Sequence, residues 1–407
     1  MKIKSILLFV IIFFILYIQP LSAGGVKVSF VTIGLIYLYM VSKLIKRKLK
    51  GNALSNIGFL IAVKPLFSFG LNNLGSVMLD VIKSLTFPLV ILYMSRFFTL
   101  EKLRRYLIVF SLILIYASVP FLLKVLSPIK SGYRLSIFGA EDSSGFIGVF
   151  ENSHSASITL SFCILILIYY SFYVKSDLAN INISKYVIYF AIVIGLYVIY
   201  KTYVRTGYLT LITGSLYLFF KNFKLKHSPI YIAILIAVGL VVAFLFSTDE
   251  VLRNRILDQQ QFSTGNEESD IGSGRLVFQL AALHIWSNLS FWEMLFGIGL
   301  ENFMLNMQSL IGLKIYTHNG FLTALVKDGL IGFILFISYM FLIIKKSFYS
   351  KSPDRDLCFS FSISYFFYQL VQGGVISSIM EIILAMVFAL LYVKRDNLTA
   401  EQINITK

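Results

Sequence analysis

Long apolar runs separated by short polar segments dominate this chain. Ile6 to Tyr17, Ile230 to Phe246 and Ile331 to Ile344 lie in runs with almost no charge. A helix that crosses a bilayer needs roughly 20 such residues. The pattern predicts helices near 5–22, 28–44, 55–69, 76–97, 105–123, 152–174, 184–201, 204–220, 229–247, 319–344, 356–373 and 377–393. Two of these are irregular: 55–69 contains Lys64 and Pro65, and 356–373 is interrupted by Ser and Tyr. The fold class expected is an all-α polytopic integral membrane protein with about 12 transmembrane helices. Residues 1–407 are expected to form a single transmembrane domain.

Composition removes the competing classes. Of 407 residues, 57% are hydrophobic and only 14% charged, with a mean hydropathy of +0.81. Soluble domains carry about 25% charged residues, so soluble, disordered and fibrous chains are all excluded. The net charge of +16 would raise nucleic-acid binding in a soluble protein. Here it orients helices instead, because cytoplasmic loops of membrane proteins are enriched in Lys and Arg. With the N-terminus inside, the inner segments hold most of the basic residues, including Lys43 to Lys50 and Arg96 to Arg105. Both termini are therefore expected in the cytoplasm, and no nucleic-acid partner is expected. Lys2, Lys4 and the small residue Ala23 also fit a secretory signal, but the apolar run to Pro20 is long for one. Cys163 and Cys358 lie in different apolar segments and offer no disulfide framework.

Two outer loops are long, 124–151 and 248–318. In the second, Leu276, Leu280, Leu283 and Trp286 recur at helical spacing, whereas Gln259 to Asp270 is polar. Candidate chemistry gathers at these outer segments. Thr317-His318-Asn319-Gly320 ends the second loop. His318 is suited to take a proton near neutral pH, with Asn319 helping to orient the hydroxyl; a helix-capping or headgroup histidine is the alternative. Gly272-Ser273-Gly274-Arg275 and Thr202-Tyr203-Val204-Arg205-Thr206-Gly207 each supply an Arg, whose fork of donors matches phosphate oxygens. Interfacial snorkelling for Arg205 and a solvated helix start for Arg275 are the competing explanations.

A resemblance links these residues. Gly272-Ser273-Gly274-Arg275, then Leu295-Phe296-Gly297-Ile298-Gly299-Leu300-Glu301-Asn302-Phe303, then Thr317-His318-Asn319-Gly320 and Asp328-Gly329-Leu330-Ile331-Gly332 resemble, in that order, the O-antigen polymerase and ligase superfamily. Gly148-Val149-Phe150-Glu151-Asn152-Ser153-His154 resembles the family stretch entering the sixth span. The resemblance implies glycan transfer from a polyprenyl diphosphate to a sugar hydroxyl, at the outer face of the bacterial inner membrane, with no metal and no cofactor. His318 would be the general base, and Arg275 and Arg205 would hold the donor diphosphate. Val204 stands where a small hydroxyl residue often precedes the Arg, and Asp328 stands where Glu is common.

Within the superfamily the polymerase branch is favoured. Such polymerases resemble one another in an Arg and a Gly eleven apart in the third and fifth outer loops. Arg134 precedes Gly145 by that spacing, while Arg253 and Arg255 miss it relative to Gly265. Supporting or acceptor-side candidates are Asn319, Arg134, His154, Glu151, Arg253, Arg255 and Asp328. Trp286 and Trp292 are sugar-stacking candidates or interfacial anchors. The expected partners are an undecaprenyl-diphosphate-linked oligosaccharide, membrane lipid and a chain-length-determining membrane protein. Two alternatives remain: a ligase moving finished polymer to the lipid A core, and a lipid-linked oligosaccharide flippase or transporter. The transporter reading looks to the few midplane charges, Asp80 with Lys83 and Glu381.

Overall fold

A computed structural model describes residues 22–23, 26–45, 51–68, 74–127, 145–150, 152–173, 183–222, 247–248, 275–373 and 378–393. The spans expected at 5–22 and 229–247 fall almost wholly outside these residues. So do Arg134, Glu151, Arg253, Arg255 and the polar stretch Gln259 to Asp270.

The described chain is helical apart from a two-residue antiparallel pairing of Ser22–Ala23 with Val26–Lys27. The helices are α1 (Val28–Ile45), α2 (Ala53–Val63), α3 (Leu74–Ser84), α4 (Thr86–Phe97), α5 (Leu100–Ala117) and the single turn α6 (Val119–Leu122). After these come α7 (Ser153–Ile168), α8 (Lys185–Thr202) and α9 (Arg205–Asn222). Three helices of the long loop follow: α10 (Arg275–Ser287), α11 (Phe291–Phe296) and α12 (Gly299–Ile311). The last are α13 (Gly320–Tyr349), α14 (Arg355–Val371) and α15 (Ser378–Ala389). Among the described residues, four segments are long and apolar enough to cross a membrane: Leu100–Leu122, Ser153–Tyr173, Lys185–Thr202 and Gly320–Tyr349.

Local chemistry sets the starts. Asn52 and Ser55 form a reciprocal capping box at α2, and the Asn152 carboxamide accepts from Ser155 N at 2.8 Å to open α7. Two breaks were not visible as apolar periodicity. The run 76–97 divides at Leu85 into α3 and α4, and 55–69 ends as a tight 3₁₀ turn at Lys64–Phe67, where Pro65 cannot continue an α-helix.

α7 is the centre. It is apolar on every side, and 83% of its most apolar stretch is buried, against 33% for α8 and 28% for α13. A helix apolar all round belongs inside a bundle. Phe162 of α7 stacks on Phe361 of α14 with ring centroids 4.7 Å apart. Small and hydroxyl residues let α9 and α14 approach: Ser360 Oγ donates to Gly214 O and Ser364 Oγ to Thr210 O, each at 2.9 Å. This antiparallel register brings Arg205, at the start of α9, to the level of Gln369 near the end of α14. The opposite end of α14 is fixed by Arg104 Nε and Asp354 Oδ2, buried and 2.8 Å apart.

α13 is two limbs rather than one helix. Gly329 interrupts it with φ 65° and ψ −174°, a region open essentially to glycine. Phe321 lies 5.3 Å from Phe336, ring to ring. In a straight helix their Cα atoms would be about 22 Å apart, so the limbs fold towards each other. The limb 330–349 alone is long enough for a span of about 30 Å. The first limb instead lowers residues 318–328 alongside it.

Candidate active site

Two of the loop helices, α10 and α12, build a small core with the first limb of α13. Phe278, Ala282 and Ile285 of α10 pack with Phe303 and Met307 of α12 and with Val326 of the first α13 limb. Leu276, Leu280 and Leu283 are the exposed face of α10. Three residues of the stripe expected from spacing thus face outward, while the fourth, Trp286, packs against the core beside the buried face of Phe278, Ala281, Ala282 and Ile285. α10 is apolar on both faces, so spacing alone does not choose between them.

On this core sits His318. It is buried and left-handed, with φ 53°, a conformation disfavoured for a non-glycine residue by roughly 1–2 kcal/mol. Its ring lies between Tyr316 and Phe278, at centroid distances of 4.9 and 5.9 Å. The surrounding turn holds the backbone there. Asn319 Oδ1 accepts from Phe321 N and Leu322 N at 3.0 and 3.1 Å, capping the first limb of α13. Buried Thr317 Oγ1 donates to Asn319 O at 2.8 Å and accepts from Thr323 Oγ1 at 2.9 Å. Asn319 therefore spends its oxygen on the helix start, directly after His318.

Gln372 joins His318 to Arg275. Its Nε2 is 2.7 Å from His318 Nδ1, and its Oε1 accepts from one Arg275 terminal nitrogen at 3.1 Å. The other Arg275 terminal nitrogen donates to Val371 O at 3.1 Å. Two residues expected to share a site are thus brought into one hydrogen-bonded chain by a third that sequence reasoning missed. The available signal was Gln372-Gly373 closing a run interrupted only by Ser, Tyr and Gln369 after its first residue. Gln372 is itself buried, as the end of α14 lies under the loop core. Gln369, one turn earlier, presses on Gly320, where a Cβ would overlap its Oε1.

Arg205 opens α9 at this same end. The tight passage of Gly207 against Ser157, together with Ser161 Oγ donating to Gly207 O at 2.9 Å, fixes that helix start. His154 is in the first turn of α7, partly buried. Asp328 is an ion-pair partner: its carboxylate lies 3.8 Å from Lys64 Nζ and 3.4 Å from Lys327 Nζ. Lys64 also donates to Phe296 O, which ties α2 to the loop helices at the break in α13. Trp292 is exposed and stacks near Phe296 at 6.4 Å, while Trp286 is partly buried against the loop core.

A cavity of about 160 Å³ lies beside this site, reaching Gly320, Thr323 and Gln369. Asp80, Lys83, Lys327, Asp328 and Glu381 also line it, so the midplane charges picked from the sequence converge there. Among the described residues, no three His, Cys, Asp or Glu side chains are grouped to hold a metal ion.

Comparison with known proteins adds one match. No curated protein matches the chain. Residues 190–337 match a family model described as O-Antigen ligase. That stretch runs from within α8 into the second limb of α13. It takes in Arg205, Arg275, His318 and Asp328 but stops before Gln372. The match supports membership of the O-antigen ligase and polymerase superfamily for this membrane protein, without separating the two branches.

Proposed function

We propose that this chain is an O-antigen polymerase of the bacterial inner membrane. It transfers the growing glycan from undecaprenyl diphosphate to the non-reducing-end hydroxyl of a new lipid-linked repeat, at the outer face, with both termini in the cytoplasm. The observation that carries the reading is the chain Arg275–Gln372–His318, which holds a phosphate-type donor fork and a potential base within two hydrogen bonds of each other.

The acceptor oxygen attacks the anomeric carbon of the donor glycan. The bond from that carbon to the diphosphate oxygen breaks, its electron pair leaves with the lipid diphosphate, and the hydroxyl proton passes to His318. Charge grows on the leaving diphosphate, and fixed guanidinium groups aimed at it stabilise it. Arg275 stands at the first position of a 13-residue helix, whose N-terminal dipole adds to the attraction. Arg205 supplies a second fork from α9. A base of this kind is worth about 10²–10⁴ in rate.

The Arg134 to Gly145 spacing favours polymerase over ligase. A surface-glycan gel of the host lacking this gene tests the choice. Core bearing a single repeat supports the polymerase. Unsubstituted core with accumulating lipid-linked polymer assigns the ligase. A chain-length-determining membrane protein is the partner we expect for the polymerase.

One observation favours a second reading, a flippase or transporter of a lipid-linked oligosaccharide. The cavity gathers five acidic and basic residues beside a broken helix, and Glu381 Oε2 has no hydrogen-bond partner among the described residues. Broken helices and buried charges are the materials of transport sites. Detergent separates the two, since glycan transfer persists in micelles and transport requires a sealed membrane.

A further inference from the structure

The chain Arg275–Gln372–His318 fixes more than position. A guanidinium has five N–H donors and no acceptor, so the Gln372 atom facing Arg275 must be the carboxamide oxygen. The amide NH₂ is then the group 2.7 Å from His318 Nδ1. That assignment follows from donor and acceptor chemistry, not from the look of the side chain. An NH₂ group can only donate, so Nδ1 must present its lone pair. Neutral His318 in this arrangement carries its proton on Nε2. Nδ1 is occupied by Gln372, and Nε2 is already protonated, so His318 in this state cannot accept the proton of an acceptor hydroxyl.

We propose that Gln372 is a positioning residue that makes the base competent only when the donor diphosphate is bound. This rests on the reading of Arg275 as a diphosphate ligand and His318 as the base. A diphosphate competes for the Arg275 edge now held by Gln372 Oε1, because it brings a full negative charge and bidentate geometry where the neutral carboxamide brings one acceptor. Arg275 keeps its other hold, on Val371 O. Released, the Gln372 carboxamide turns over and offers Oε1 to His318. The ring then loses its Nε2 proton to water and takes one from water at Nδ1, with no net proton change. Nδ1–H donates to Gln372 Oε1, and Nε2 presents its lone pair to the acceptor hydroxyl. An empty donor site thus keeps the base idle, and a filled one arms it.

The chain has only 4 histidines, so ¹⁵N-histidine labelling of the full-length protein in detergent micelles reports each ring, with His318→Ala giving the assignment. Without ligand, His318 is expected to show an unprotonated Nδ1 and a protonated Nε2. With saturating undecaprenyl diphosphate the two exchange roles, and in Gln372→Leu they no longer respond to the ligand. Binding of the diphosphate with an unchanged His318 tautomer would overturn the relay while leaving the diphosphate site intact. Absence of any diphosphate binding, followed by fluorescence competition, would overturn both. Kinetics give a second handle. Gln372→Glu replaces the switchable amide with a permanent acceptor for Nδ1–H, and a neighbouring carboxylate favours the imidazolium. The acidic limb of the transfer-rate profile should therefore move to higher pH by about one unit. Gln372→Leu should lower transfer about 100-fold, as loss of a base does, with diphosphate affinity changed less than tenfold. An unshifted profile in Gln372→Glu would reduce Gln372 to a structural residue.

Discussion

Gly297 and Gly329 meet backbone against backbone, both at positive φ, 75° and 65°. A Cβ on Gly329 would overlap Gly297 N and Leu295 O, and one on Gly297 would overlap Lys327 O. Ile298 N also donates to Val326 O at 3.3 Å across the same contact. This crossing sets the angle between the limbs of α13, and therefore where His318 lies.

Either Gly297→Ala or Gly329→Ala should destabilise the fold and displace the site. Backbone in this glycine-only region costs another residue roughly 1–3 kcal/mol, and forced overlap in packed structure adds typically about 1–3 kcal/mol. Thermal unfolding in detergent measures this. A melting temperature unchanged in both variants would contradict the account of the break.

The ion pair at that break should matter more than a surface pair. Lys64 and Asp328 have side-chain exposures of 6% and 16%, and removing one partner of a buried pair typically costs about 3–5 kcal/mol. Asp328→Asn is expected to lower thermal stability clearly. Lys64→Met combined with Asp328→Leu should recover part of it, because Lys64 is then not left as a buried charge without its partner, while Lys327, the other cation paired with Asp328, still shares the cavity with Asp80 and Glu381. Equal stabilities of single and double variants would show that the pair contributes nothing.

Much of this was legible from the chain. Apolar runs marked ten of the described helical regions to within several residues, four of which are long and apolar enough to cross a membrane. His318, Arg275 and Arg205 were picked out by motif, and the structure puts all three at one end of the bundle. What the sequence concealed depends on tertiary contact. The first limb of α13 continues the apolar run into the second with only Lys327-Asp328 before Gly329, and those two charges do not by themselves announce a fold-back. Helical spacing marked α10, but that helix has two apolar faces, and spacing alone does not say that Phe278, Ala282 and Ile285 are the buried ones. Gln372 belongs to a stretch whose only local signal is a polar residue before Gly373; its meaning comes from two residues distant in sequence.

Arg275→Lys tests whether geometry or charge is needed. Lysine keeps the charge but loses the planar fork that engages Val371 O and Gln372 Oε1 together. Glycan transfer is expected to fall about 100-fold, the scale of losing one preorganised donor to a developing anion. Initial rates with extracted lipid-linked repeat measure it, and wild-type activity would mean that simple positive charge suffices.

The most direct test of the central claim is glycan transfer by purified His318→Ala in detergent, using lipid-linked repeat extracted from the host as both donor and acceptor. The account predicts that the wild-type protein makes polymer and releases undecaprenyl diphosphate. His318→Ala, with an unchanged melting temperature, should lose at least about 100-fold of that rate. Polymer formation by His318→Ala at the wild-type rate would contradict the assignment of His318 as the base.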